Sequence, residues 1–239
     1  TLPRRAILIV HGGGWRSGDR SQHYPLAERL AVLGYTCYTA EYRLSTEALY
    51  PAPVDDLKSA LRWMHANAIQ ENIDTNNIAV LGFSAGGELA AFVGTTSGIP
   101  RFEGNGCHLS ASSKVKAIVD IDGTLAFVHP ESGEGDDSRS TSAATYWFGY
   151  SKTEKPELWK DASPLTHVGK NTPPILFINS SVERMHAGRQ DFIKVLDEHQ
   201  IYSEVRTFPE APHSFCLFEP WFEPTVQYIY NFLKKVLKD

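Results

Sequence analysis

The apolar positions along this chain fall into two alternating kinds of run. Short, nearly uninterrupted stretches at 6–10 (A-I-L-I-V), 35–41, 77–81, 115–121, 175–179 and 203–208 read as strands, because a strand buried on both faces has no reason to alternate polar with apolar residues. Between them, apolar residues recur at helical spacing in 22–33, 54–68, 85–95 and 187–200, and 222–238 closes the chain in the same way. Strands alternating with helices predict an α/β fold, a mostly parallel sheet flanked by helices. The rhythm breaks over 122–173, where the polar, turn-rich E-S-G-E-G-D-D-S-R-S-T-S precedes the aromatic Y-W-F-G-Y. Composition makes the polar part a solvated, mobile loop. A connection this long inside a regular α/β pattern points to the substrate site.

With 239 residues, 42% hydrophobic and 11% aromatic, the chain can bury one large core, so 1–239 is expected to be one domain. A net charge of -5, with lysines and arginines scattered, gives no electrostatic basis for holding a nucleic-acid backbone. No apolar run reaches the roughly 18 residues that would predict a membrane span. Three cysteines, Cys37, Cys107 and Cys216, are too few for a disulfide framework, and no cysteine or histidine spacing suggests a metal site. The numbering begins at Thr1, which leaves room for a removed leader; a secreted or periplasmic location goes with that expectation, and the oligomeric state stays open.

Two glycine-rich motifs carry the chemistry. G-F-S-A-G-G at 82–87 follows an expected strand and opens an expected helix, the context in which a serine sits on a sharp turn with its hydroxyl exposed. A serine hydroxyl is a weak nucleophile at neutral pH, so Ser84 needs a base, a group to orient the base, and donors for a developing oxyanion. H-G-G-G-W at 11–15 follows the first expected strand, and a glycine run there leaves backbone N–H groups free to face a substrate oxygen. Taken alone, the same run could be an ordinary tight turn.

These motifs, with E-Y-R-L-S-T-E-A-L-Y-P-A-P-V-D-D at 41–56, resemble the α/β-hydrolase esterases, and within them the carbohydrate-esterase-like branch that includes acetyl-xylan and feruloyl esterases. The resemblance runs along nearly the whole chain. It implies a serine carboxylesterase that needs no metal or organic cofactor, works through an acyl-enzyme on Ser84, and acts on acetyl or feruloyl esters of plant polysaccharides such as xylan. It also implies oxyanion donors at Gly13, Gly14 and Ala85. Only about ten residues precede the H-G-G-G turn where the family has two further strands, so a sheet lacking those strands is expected.

In that fold the partners follow in the order serine, acid, histidine. Of nine histidines, His213 in P-E-A-P-H-S-F lies in the loop before the closing helix and is the expected base. For the acid, Glu183 falls four residues past Asn179, where the family generally carries its aspartate. Asp191 is a rival that could equally complement a helix dipole, and Asp120 in A-I-V-D-I-D is another, since some members take the acid from that earlier strand.

Flat aromatic faces suit sugar rings or phenolic acids, and Trp15, Trp147, Phe148, Tyr150, Trp159, Trp221 and Phe222 crowd the expected catalytic edge, the long insertion and the segment after His213. Trp15, Trp147, Trp159 and Trp221 are therefore candidate substrate contacts, against the alternative that each is a core ring. His186 and Arg189, in H-A-G-R, are candidates as well, Arg189 for an anionic or hydroxyl-rich group unless it pairs with a nearby acid. An arylformamidase or small-ester lipase shares the same motifs, and a non-catalytic binding module would be expected to have lost Ser84 or His213.

Overall fold

The computed structural model describes residues 2–237. Six strands, β1 (Arg4–Val10), β2 (Thr36–Ala40), β3 (Ile73–Phe83), β4 (Ala117–Ile121), β5 (Ile175–Asn179) and β6 (Ser203–Thr207), form one parallel sheet in the order β2-β1-β3-β4-β5-β6. The helices are α1 (Tyr24–Val32), α2 (Ala52–Ala66), α3 (Ala68–Glu71), α4 (Ala85–Thr95), α5 (Ala143–Phe148), α6 (Pro156–Asp161), α7 (Arg189–Glu198) and α8 (Phe222–Val236). This is the expected α/β-hydrolase architecture.

Each central strand divides its side chains between two cores, as strands covered on both faces must. Ala6, Leu8 and Val10 of β1, with Ile78 and Val80 of β3, face the core shared with α2, α4 and the long connection. Ile7, Ile9, Ala79 and Leu81 face the core closed by α1 and α8. Helix α8 is amphipathic, burying Val226, Ile229, Phe232 and Leu233, and Glu223 fixes it to α1 through two hydrogen bonds from Arg29 of 2.7 and 2.8 Å. Helix α4 is buried on every side, which explains why its sequence A-G-G-E-L-A-A-F-V has no polar stripe.

The element boundaries differ from the sequence expectation where tertiary contacts outweigh local pattern. β3 runs from 73, because polar Asp74 to Asn76 lie at its open end outside the core. The expected helix at 22–33 divides into a 3-10 turn, Arg20–His23, and α1, where Pro25 favours a first turn. The helix expected at 187–200 is preceded by a separate 3-10 turn, Glu183–His186, and starts only after Gly188 at φ 80°. Residue 238 of the closing helix lies outside the described residues. The first described strand, β1, leads directly into His11.

The topology places the chemistry. The chain steps from β1 to β2 on one side and returns past β1 to β3 on the other, so a crevice opens beyond the carboxyl ends of β1 and β3. The H-G-G-G-W segment leaves β1 and Ser84 leaves β3, bringing the two motifs together across that crevice.

Candidate active site

Ser84 has φ 57° and ψ -123°, a conformation that non-glycine residues rarely adopt. Its neighbours make the turn feasible: a Cβ on Gly82 would lie 1.8 Å from the Gly86 carbonyl oxygen, and one on Gly86 would lie 2.2 Å from that of Val10. Glycine at both positions lets β3 and α4 cross at contact distance, and Ser84 is left at the apex with its carbonyl accepting the N–H groups of Gly87 and Glu88 at 2.9 and 3.0 Å.

His213 reaches Ser84 from the opposite side of the crevice. Its Nε2 lies 2.8 Å from Ser84 Oγ and its Nδ1 lies 2.9 Å from Asp122 Oδ2. In the tautomer protonated on Nδ1, the Ser84 hydroxyl donates to Nε2 and Nδ1–H donates to Asp122. The loop carrying His213 is tied to the sheet end, since Ser181 donates its N–H and its hydroxyl to the Ala211 carbonyl at 3.1 and 2.9 Å. The imidazole also rests against Phe83, with ring centroids 5.0 Å apart.

The carboxylate in contact with His213 is Asp122, not the expected Glu183. Glu183 is exposed on the 3-10 turn after β5. Asp122 follows β4 immediately, at φ 51°, with its side chain fully buried. Burial by itself would raise its pKa, but the neighbouring His186 imidazole and hydrogen bonds from His213, the Ser180 hydroxyl and the Ser180 N–H bring it down to about 2. It is therefore an anion at neutral pH. The rivals have other partners. Asp120 is buried, accepts the Gly123 N–H at 2.7 Å and is pushed well above the usual carboxylate range by burial, while Asp191 is exposed and faces His129 at 3.1 Å.

Asp122 lies just past the strand that carries the expected rival Asp120. Asp120 lies within β4, whereas Asp122 follows the last paired residue at φ 51°, its N–H still donating to the Ile178 carbonyl at 3.0 Å while its carboxylate meets His213. The local signal was Asp122-Gly123 directly after the buried run A-I-V-D-I, and it identifies the residue only together with the strand order.

Of the expected oxyanion donors, Gly14 and Ala85 line the cavity beside Ser84, and Gly13 precedes Gly14 in the same turn. Gly13 has φ 133° and Gly14 φ 60°, both left-handed, and a Cβ on Gly13 would lie 2.1 Å from the Ser17 carbonyl oxygen. Among the described residues, the N–H groups of Gly13 and Gly14 donate to no hydrogen-bond partner, and Ala85 is the first residue of α4, where an N–H has no intrahelical acceptor. The glycine segment is clamped on all sides. Gln22 Oε1 accepts the Gly12 N–H at 2.7 Å, Tyr42 donates its hydroxyl to the His11 carbonyl at 2.9 Å, and the Trp15 indole donates to Glu88 Oε2 at 3.0 Å. Burial pushes the Glu88 carboxyl well above its usual range, with the Trp15 bond opposing.

A cavity of about 210 Å³ opens over Ser84 and His213, lined also by Gly14, Trp15, Ala85, Thr124, Glu134, Ala143, Arg184 and Met185. Of the expected aromatic contacts, only Trp15 is among them. Trp147 and Trp159 are fully buried: Trp147 stacks on Trp15 with centroids 4.8 Å apart, and Trp159 donates its indole N–H to the Tyr150 carbonyl at 3.1 Å. These rings stay in the core because they anchor α5 and α6, so they form no platform for a sugar. Trp221 is half-buried against the α1–α8 core. Arg189 donates to Asn179 Oδ1 at 2.6 Å, His186 Nε2 lies 3.4 Å from Asp122 Oδ1, and neither lines the cavity. The polar turn that composition assigned to solvent instead delivers Glu134 into the cavity. Among the described residues, no cluster of metal-ligating side chains is present and no helix is long and apolar enough to cross a membrane.

The geometry is accompanied by similarity to known esterases. Esterase LipC of Mycobacterium tuberculosis is 32% identical over 190 residues, covering 76% of this chain and 45% of its own. The chain spans about half the length of the curated relatives it matches. A truncated carbohydrate esterase from gut microbiota superposes with a TM-score of 0.83 at 25% identity, covering 98% of this chain and 87% of that one. An acetyl ester-xyloside bifunctional hydrolase from Caldicellulosiruptor lactoaceticus shares the fold, with a TM-score of 0.81 at 22% identity over 99% of this chain and 84% of its own. A family model matches residues 1–190, most of the chain, and on that evidence the protein belongs to the BD-FAE family of α/β-hydrolases.

Proposed function

We propose that this protein is a serine carboxylesterase that removes short acyl groups, acetyl foremost, from carbohydrate esters such as acetylated xylan. The observation that carries the reading is the unbroken line from Asp122 through His213 to Ser84, with contacts of 2.9 and 2.8 Å, beside unpaired backbone donors. Ser84 attacks the acyl carbonyl while His213 takes its proton, and Asp122 stabilises the imidazolium that forms. The N–H groups of Gly13, Gly14 and Ala85 receive the oxyanion. His213 then delivers the proton to the departing alcohol and activates the water that releases the acid.

Acetyl is proposed ahead of feruloyl. The reading is supported by the cavity's 210 Å³ volume and by the small Gly14, Ala85 and Ala143 in the lining, where Trp15 is the one aromatic side chain. The test is release of acetate from acetylated xylo-oligosaccharides beside ferulate from methyl ferulate and long-chain acids from p-nitrophenyl esters, with Ser84→Ala as the blank. Dominant acetate release is expected. Dominant ferulate or long-chain release would overturn the acyl assignment.

A further inference from the structure

The turn at 131–137 holds a feature that attack by Ser84 does not use. Glu134 points inward from it: its side chain is 15% exposed, it lines the cavity with Ser84 and His213, and its Oε1 lies 3.5 Å from Arg184 Nη1. The surrounding residues hold it there. Ser132 Oγ accepts the Glu134 N–H at 3.2 Å, the Gly133 backbone packs on the Arg184 side chain, where a Cβ would come 2.9 Å from Cδ, and Gly135 packs on the buried Trp159 indole. Burial raises the Glu134 carboxyl above its usual range, against the pull of Arg184, Lys152 and His213.

We infer that Glu134 and Arg184 form the subsite for the alcohol half of the ester, and that this subsite recognises neighbouring hydroxyls of a polyol. This rests on the esterase reading above and names the residues that would make it selective. The alcohol must leave on the His213 side, because Nε2 returns the proton to its oxygen. The segment bearing Arg184 lies on that side, since His186, two residues on, approaches Asp122 Oδ1 while His213 holds Oδ2. A carboxylate accepts and a guanidinium donates, and two adjacent hydroxyls satisfy both at once. An alkyl or aryl alcohol entering the same space would displace water from both groups and replace none of its bonds, which is a strong basis for discrimination.

The test compares two acetyl esters that share one acetyl-enzyme and differ only in the alcohol: a mono-acetylated xylo-oligosaccharide and p-nitrophenyl acetate. Wild type, Glu134→Ala, Glu134→Gln and Arg184→Ala are assayed for kcat and KM separately, with melting curves to confirm folding. On the sugar acetate, Glu134→Ala and Arg184→Ala should each lose about tenfold or more in kcat/KM, mostly through KM, with Glu134→Gln intermediate, and each loss should exceed the same variant's loss on p-nitrophenyl acetate by about fivefold or more. Parallel losses on both esters, or no loss on the sugar acetate, would overturn the subsite. If wild type cleaved p-nitrophenyl acetate but not the sugar acetate, the carbohydrate reading itself would fall and the polyol subsite with it, an outcome visible without any variant.

Discussion

Replacing Asp122 by asparagine tests the proposed mechanism at its least obvious residue. Asp122 Oδ1 accepts the Ser180 N–H at 2.8 Å, which fixes the asparagine oxygen at that position and turns its NH2 toward His213. An NH2 there cannot accept from Nδ1, so His213 must carry its proton on Nε2, where it faces Ser84 and can no longer take the hydroxyl proton. The anion that would stabilise the imidazolium is lost in the same change. An aspartate-to-asparagine change in such a triad costs roughly 10⁴ in kcat, about 5.5 kcal/mol of transition-state stabilisation. Steady-state kinetics on p-nitrophenyl acetate, with circular dichroism to confirm folding, should show that loss for Asp122→Asn and turnover within about threefold of wild type for Glu183→Gln. If Asp122→Asn kept near-wild-type turnover, or Glu183→Gln fell as far, the tautomer argument would be wrong.

The same carboxylate sets a pH dependence of stability. Its pKa is depressed in the fold to about 2, so its contribution is complete above the ordinary 3.8 and disappears as the pH falls through 2; it should amount to roughly 2 kcal/mol, seen as a drop in urea midpoint between pH 5 and 2.5 that shrinks in Asp122→Asn. Away from the site, Lys58 and Arg62 are almost wholly buried and share Glu103, with contacts of 3.2 Å each, and burial brings the Lys58 pKa down to about 8 against the pull of Glu103. Glu103→Gln leaves two buried cations without their anion and should cost about 3 kcal/mol, with a Tm fall of roughly 6–12 °C by calorimetry that Lys58→Met in the same chain partly restores; an unchanged Tm would contradict this. Gly86→Ala forces a methyl group to 2.2 and 2.4 Å from the Val10 and His11 carbonyl oxygens, so it should destabilise by about 3 kcal/mol or more in urea unfolding and abolish turnover; a folded, active variant would show that the strand–helix crossing can open.

The sheet was legible because its central strands are buried on both faces and read as nearly unbroken apolar runs, Ala6 to Val10 and Ile175 to Asn179 above all. The edges of elements were less so: nothing local announces that Gly188 delays α7. The turn carrying Ser84 was visible from its glycines, and the loop that brings His213 to it from its place after the last strand. The acid was not, because Asp122 is recognisable only once β4 is seen to lie beside β3, a relation of strand order rather than of sequence. Reading the tryptophans as a binding platform failed for a related reason: aromatic residues in an insertion serve equally well to bury it, and Trp147 and Trp159 do so. Glu134 lay unnoticed in a polar turn, since composition reports solubility and not which single side chain turns inward.

The most direct test of the central claim is covalent labelling with a fluorophosphonate, followed by mass spectrometry of the intact chain and its peptides. The account predicts one adduct per chain, on Ser84, absent in Ser84→Ala and strongly slowed in Asp122→Asn. A wild-type chain that stayed unlabelled, or carried its adduct on another residue, would contradict it.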